Sequence, residues 1–265
     1  MNISICLPIH NEETYLPYSI PALVKASVDE LVILLDRCTD NSEHIIKRLF
    51  SALKPSFDVK ILRKTGQKWK CPTAEVFEIL FSEAKGDLIY TMACDIIADP
   101  RMFNPEPYQK ADIVSYFYYN YDLHRFKIHQ HYLNFLKRYI NIAKIWKREL
   151  AWKSGLFGCK REVWENIHFR DVPSEYDDFL ERALKKGYRY KFVKTTRNLH
   201  LRVGLSKSRQ YLQGMSRAQR NVHPLMVLGH SLICLKPYVW VSYLHERKYQ
   251  LYKTRKWGKE GYENS

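Results

Sequence analysis

The sequence predicts a three-layer α/β sandwich built on a mainly parallel sheet, and three observations support this. Short apolar runs alternate with helix-like stretches at regular spacing through the first hundred residues. Strands alternating with helices in this way form right-handed parallel units covered on both faces. The chain has 265 residues, of which 46% are hydrophobic, so it can bury a sizeable core.

In chain order, Ile3 to Leu7 reads as a strand. A helix follows to about Ala26, made irregular by Pro17 and Pro21. Glu30 to Leu35 is a second apolar strand ending at Asp36, and Thr39 to Ser42 supply capping residues for a helix reaching about Leu53. Val59 to Leu62 is a third strand, Lys64 to Pro72 a basic loop around Gly66, and Thr73 to Ala84 a helix. Leu88 to Met92 is a fourth strand, nearly uninterrupted in apolarity, that delivers Asp95 to its carboxyl end. Within Asn120 to Lys153, apolar residues at 132, 133, 135, 136, 139, 140, 143 and 146 predict a helix packed on the sheet.

Open α/β sheets bind ligands in the crevice outside the carboxyl ends of their strands. Asn11, Glu12, Asp36 and Asp95 follow three such ends, and a carboxylate placed there suits Mg²⁺ or Mn²⁺ carrying a diphosphate. Each also has a local alternative: Asn11 as a helix cap, Glu12 as a dipole partner, Asp36 in an Asx turn, Asp95 as a cap and Asp99 at the start of a turn.

The formal charge of +15 implies an anionic partner, and the excess grows toward the C-terminus. The six cysteines are scattered, without a Cys-x-x-Cys pair, as in a reduced cytoplasmic protein. No stretch offers the roughly 18 apolar residues of a spanning helix, and Asn2 to Leu7 is strand-like rather than a leader sequence.

Several stretches together resemble the GT-A fold glycosyltransferases of family 2. They are Pro8-x-His10-Asn11-Glu12, Val32 to Asp36 with Thr39-Asp40-Asn41-Ser42, Gly86 to Asp95, Gly155-Leu156-Phe157-Gly158, and Glu175-Tyr176-Asp177-Asp178-Phe179 with Arg182 and Gly187-Tyr188. The resemblance covers roughly Asn2 to Ser206, and five motifs in order are fairly specific. It departs from the family at two places. The first aspartate of the Asp-x-Asp motif falls on Ala93, and the usual base position falls on Tyr176.

The resemblance implies a GT-A domain over residues 1–206, with a nucleotide-sugar half (1–100) and an acceptor-side half (101–206). A basic, partly apolar helical extension occupies 207–265. Pro8, His10, Asn11, Glu12, Asp36 and Asp95 would bind the donor. Asp95 with His200, and Asp99 near them, would hold Mg²⁺ or Mn²⁺, which stabilises the leaving diphosphate. Lys64 and Lys68, in the loop after the third strand, are placed either to reach phosphate or simply to solvate that loop. A base among Glu175, Asp177 and Asp178 would deprotonate an acceptor hydroxyl for displacement with inversion, whereas a phosphate acceptor would need none.

Arg202, Ser206 and Lys207 resemble the Arg-x-x-Gly-x-Ser-Lys stretch of polyprenyl-phosphate glycosyltransferases, with one residue fewer, and are suited to an acceptor phosphate. Apolar Leu225 to Leu235 with basic flanks suits either an anionic membrane interface or an ordinary core helix with a solvated tail.

The expected function is therefore transfer of a sugar from a nucleotide donor to a membrane-associated acceptor, polyprenyl phosphate or a lipid-linked glycan, by a cytoplasmic enzyme peripheral to the membrane. A soluble polysaccharide or glycoprotein acceptor is the alternative. A nucleotidyltransferase would want a glycine-rich loop after the first strand, yet the first glycine is Gly66. A nucleic-acid-binding module would leave Asp36 and Asp95 unexplained, so no nucleic-acid partner is expected.

Overall fold

The structure is a computed structural model and describes residues 1–121, 156–172, 175–202, 207–219 and 221–260. The helix expected within 120–153 therefore lies almost entirely outside the described residues. The chain divides into two compact units, Met1–Val203 and Gly204–Ser265.

The first unit opens with β1 (Ile3–Ile9), α1 (Leu16–Leu23), β2 (Glu30–Asp36), α2 (Ser42–Leu53), β3 (Asp58–Lys64), α3 (Pro72–Glu83) and β4 (Leu88–Thr91). It continues with the two-residue β5 (Ile96–Ile97), two 3-10 turns, β6 (Ile113–Asn120), β7 (Phe157–Lys160), α4 (Arg161–Ile167), α5 (Glu175–Lys185) and β8 (Tyr190–His200). The strands form one sheet in the order β3-β2-β1-β4-β7-β6-β8-β5. β3, β2, β1 and β4 run parallel, β7 is antiparallel to β4 and β6, β6 is parallel to β8, and β5 is antiparallel to β8.

Strand alternation generates the layers. Ile3, Ile5, Leu7 and Ile9 of β1, with Leu31, Ile33 and Leu35 of β2, share a core with Leu16, Ile20 and Leu23 of α1 and Ile46 of α2. Cys6, Val32, Leu34 and Ile89 point the other way, onto Val76, Phe77, Leu80 and Phe81 of α3, Val163 and Trp164 of α4, and Phe179 of α5. Both faces of the parallel strands are covered, so β1 and β2 are apolar at almost every position.

The edge of the sheet at the amino ends of the parallel strands is fastened by carboxylates. Asp87 accepts from Asn2 N at 2.8 Å and Asp29 from Ile3 N at 2.7 Å, while Glu30 accepts from Ser4 Oγ at 2.6 Å and Lys85 N at 2.8 Å. On the same edge, Asp112 binds Lys160 Nζ at 2.7 Å and Arg189 N at 2.9 Å. Burial pushes its carboxyl up, but the Arg189 guanidinium at 3.2 Å, Lys160 and the backbone amide prevail and hold it well below the usual range. Gly86 approaches so closely that a Cβ would lie 2.5 Å from Ser4 N, which is why the turn before β4 needs glycine.

The second unit contains three helices, α6 (Lys207–Gln219), α7 (Pro224–Ile233) and α8 (Pro237–Glu260). Its small core joins Ala218, Val222, Val227, Val239 and Tyr243. No described helix is long and apolar enough to cross a membrane.

Candidate active site

The carboxyl ends of β1, β2 and β4 lie side by side, and the segments leaving them are tied into one rim. After β1 the chain turns through Asn11 at φ +55°. The Asn11 side chain accepts from Thr39 N at 2.7 Å and Asp40 N at 3.3 Å. Glu12 N donates to Ser42 Oγ at 2.8 Å, Glu13 N to Asp40 Oδ2 at 3.0 Å, and His10 Nδ1 lies 2.7 Å from Asp36 O. Pro8 O accepts from Cys94 Sγ at 3.1 Å. Pro8, His10 and Asn11 therefore shape the rim, each clamped to a neighbouring strand end.

Asp95 is buried just past β4. β5 pairs with the end of β8, Ile96 opposite His200, and Leu201 N donates to Asp95 O at 2.7 Å. This pairing brings together groups more than a hundred positions apart in the chain. His200 Nε2 is 3.5 Å and Arg202 Nε 3.3 Å from Asp95 Oδ2. Arg202 also pairs with Glu12 and stands 4.5 Å over the Tyr15 ring. Burial works against the guanidinium charge, but the Glu12 and Asp95 carboxylates keep its pKa raised.

Asp95 and His200 offer one carboxylate and one imidazole, donors that fit Mg²⁺ or Mn²⁺. Among the described residues no group of three or more His, Cys, Asp or Glu side chains is assembled around a metal position. An ion held by these two would thus keep coordination places open for a ligand's oxygens. Asp99 is otherwise engaged. It accepts from Arg101 N at 3.1 Å, from the Arg101 guanidinium at 3.0 and 2.8 Å, and from Arg197 N at 3.0 Å. The Arg101 bonds lead in lowering its pKa to about 2.

At the end of β2, Asp36 accepts from Arg37 Nε and a terminal guanidinium nitrogen, both at 2.9 Å, and from Lys64 Nζ at 3.1 Å. Burial pushes its pKa up, yet these cations prevail and lower it. Lys64, expected to be a loop lysine, is the last residue of β3 and is buried between Asp36 and Glu75, the latter at 3.2 Å. Lys68 donates its backbone N–H to both Glu75 oxygens at 3.1 Å. Next to them lies a cavity of about 500 Å³ lined by Lys64, Gly66, Gln67, Lys68, Trp69 and Glu75.

The three candidate bases occupy the first turn of α5 but differ in surroundings. Asp178 is paired with Arg170 and, at 2.8 Å, with Arg182. Burial, with a smaller push from Asp177, raises the Glu175 pKa to about 7. Tyr176, at the family's usual base position, packs its ring 4.7 Å from Phe77 and 5.0 Å from Phe157, both ring-centroid distances. Ser206 lies outside the described residues. Lys207 begins α6, but its side chain is not described.

Sequence reasoning missed Arg37 and Tyr15. A basic residue directly after a strand-end aspartate was a usable signal for Arg37. Nothing local marks Tyr15, whose partner is remote in the chain.

The chain matches the model for glycosyl transferase family 2 over residues 4–170, about five of every eight residues. It belongs to that family. No curated protein matches it in sequence. Among solved structures, this family 2 glycosyltransferase is similar to a mannosyltransferase from Pyrobaculum calidifontis, crystallised with GDP-Man and Mn²⁺. The TM-score is 0.61 at 17% identity, covering 92% of this chain and 70% of that one. Glucosyl-3-phosphoglycerate synthase from Mycobacterium tuberculosis, with Mn²⁺, UDP and phosphoglyceric acid, gives 0.56 at 18% identity, covering 88% and 78%. S. aureus TarS 1-349 gives 0.54 at 13%, covering 84% of this chain and 66% of that fragment. The chain spans only 40% of the longer TarS chain. These likenesses establish the GT-A architecture.

Proposed function

We propose that this family 2 enzyme transfers a sugar, with inversion, from a nucleoside-diphosphate sugar onto an acceptor held at the N-terminus of α5. The observation that carries this is the convergence of Asp95, His200, Arg202 and Glu12 outside the carboxyl ends of parallel strands. Asp95 and His200 would hold Mg²⁺ or Mn²⁺, which stabilises the charge on the departing diphosphate. Arg202 supplies a fixed guanidinium beside that ion for a diphosphate oxygen. Glu175, poised near neutrality, is the carboxylate best suited to take the acceptor proton, because Asp178 is committed to two arginines.

Asp36 indicates which base the donor carries. A carboxylate offers about four acceptor positions, and Arg37 and Lys64 occupy three. The remaining position, flanked by two cationic donors, complements the single N–H between two carbonyls of uracil better than the paired donors of guanine. A thermal-shift panel of UDP-, GDP- and CMP-sugars with and without Mn²⁺ tests donor and metal together. The largest stabilisation is expected from a UDP-sugar with metal. Equal, metal-independent shifts for all three would refute the assignment.

For the acceptor, a membrane-associated molecule such as polyprenyl phosphate or a lipid-linked glycan is favoured over a soluble glycan by one observation. α7 and α8 and the turn between them leave Leu225, Leu232, Leu235, Val241 and Leu244 exposed in a strongly basic unit. Flotation with anionic vesicles, weakening as salt screens the attraction, would support a peripheral membrane enzyme. Equal recovery with neutral and anionic vesicles would favour the soluble acceptor.

A further inference from the structure

The loop after β3 turns four successive backbone amides, those of Lys68, Trp69, Lys70 and Cys71, toward two carboxylates. Glu75 of α3 takes the first two, with Lys68 N at 3.1 Å from both of its oxygens and Trp69 N at 3.3 Å from one. Asp171 takes the other two, Lys70 N at 2.9 Å and Cys71 N at 2.7 Å. Cys71 is the N-cap of α3 and forms no cap with its own side chain, so the cap comes from 100 residues farther along the chain. A carboxylate suits the amino end of a helix, and the two amides hold the Asp171 pKa below its usual value.

Asp171 belongs to the stretch between α4 and α5, and that stretch is fastened to α3 and to α5. On the α3 side, Glu78 accepts from Trp164 Nε1 at 3.1 Å and Phe169 N at 2.9 Å and lies 2.8 Å from His168 Nδ1. On the α5 side, Arg182 donates to His168 O at 2.6 Å and to Asp178 Oδ2 at 2.8 Å, and Arg170 pairs with Asp178. The Phe169 ring stacks on Phe179 of α5 at 4.8 Å and meets Phe81 of α3 edge-on at 5.2 Å between centroids. His168 stands at φ +50° and ψ 158°, a backbone conformation costly for any residue but glycine. Such strain persists only where the surroundings over-determine it, and here both helices do so.

Hydrogen bonds and one peptide link thus connect the strand end at Asp36 to the first turn of α5. Lys64 bridges Asp36 and Glu75, Glu75 and Asp171 hold the loop between them, and Arg170 beside Asp171 grips Asp178. We propose that Asp171 is a positioning residue that couples the donor-side loop to the helix carrying the base. A donor that steadies the loop next to Lys64 thereby steadies Glu175 where it takes the acceptor proton. This rests on the assignment of Asp36 to the donor and of Glu175 to that proton.

The test is amide hydrogen exchange on the full chain, with UDP and Mn²⁺ as the probe. It follows the amides of Lys68 to Cys71, and those of Phe179 to Arg182, which bond back to the first-turn carbonyls of α5. In the ligand-free protein Asp171→Asn, which leaves one oxygen for two amides, should speed exchange in both sets at least about fivefold. Acceleration confined to the loop would reduce Asp171 to a local cap and overturn the coupling. UDP with Mn²⁺ should slow both sets at least about fivefold in the unsubstituted protein, but only the loop in Asp171→Asn. A merely structural lesion would not split the two responses in this way. Slowing of α5 that persists in the variant, or slowing of the loop alone in the unsubstituted protein, would overturn the coupling. The latter measurement needs no substitution, so the outcome does not depend on the variant folding. Absence of slowing anywhere on adding UDP would instead reject the donor assignment, and the ligand-free comparison would still decide the role of Asp171.

Discussion

Asp95 and Asp36 are both buried strand-end carboxylates, and their partners separate their roles. Asp95 faces a histidine and an arginine delivered from β8 and beyond, whereas Asp36 is locked between Arg37 and Lys64. Asp95→Asn keeps the side-chain volume but removes the charge that a cation needs. Sugar transfer should fall at least about 100-fold with an unchanged circular dichroism spectrum. Activity near that of the unsubstituted enzyme would remove Asp95 from the metal. Asp36→Ala should raise the donor KM more than it lowers kcat, as loss of a uniform binding contact does. Glu175 predicts a pH effect with a definite sign. A base must be deprotonated, so with a pKa near 7 the rate should decline as pH drops below about 7. Glu175→Gln should remove that limb and cost about 100-fold in kcat; a profile unaltered by the substitution would point to a phosphate acceptor. The same shift makes the folded state hold a proton that the unfolded chain has released. Its contribution to stability is therefore present below the unfolded value of about 4.3 and is lost as pH rises toward about 7. Asp95 and Asp36 were legible in the sequence because each follows an apolar run. Their partners were only partly so, since Tyr15 under Arg202 and Arg202 on Glu12 depend on contacts that no local pattern encodes.

At the scale of elements, the four parallel strands and α2 and α3 follow closely from the sequence, because each is decided by its own apolar pattern. α1 is shorter than expected, Leu16–Leu23, since Pro17 enters in its first turn and Pro21 lies inside it. β6, β7 and β8 were not separately predicted. Their pairing joins Ile113 to Cys159 and to Tyr190, and such long-range register leaves no local signal. Two substitutions test element-level strain. Leu235→Gly should stabilise the C-terminal unit by about 0.5–1 kcal/mol, since relief of a left-handed leucine at φ +52° outweighs the added chain entropy. An unchanged or lower denaturant midpoint would show that Leu235 makes contacts worth keeping. Gly86→Ala should destabilise by about 1–3 kcal/mol, because its Cβ must displace the backbone of Ser4.

Across the whole molecule, a sheet with two unlike edges accounts for both stability and chemistry. At the amino ends of the parallel strands, Asp29, Glu30, Asp87 and Asp112 are spent on backbone amides and neighbouring side chains. At the carboxyl ends, Asp36, Asp95 and Glu12 meet cations that a ligand can rearrange. The two sets are separated by the length of the strands, so a substitution at one edge should leave the other nearly unaffected. A chain built this way can therefore exchange residues of the carboxyl-end rim while keeping the seam that holds the sheet together. The rim can be remade without disturbing what folds the chain.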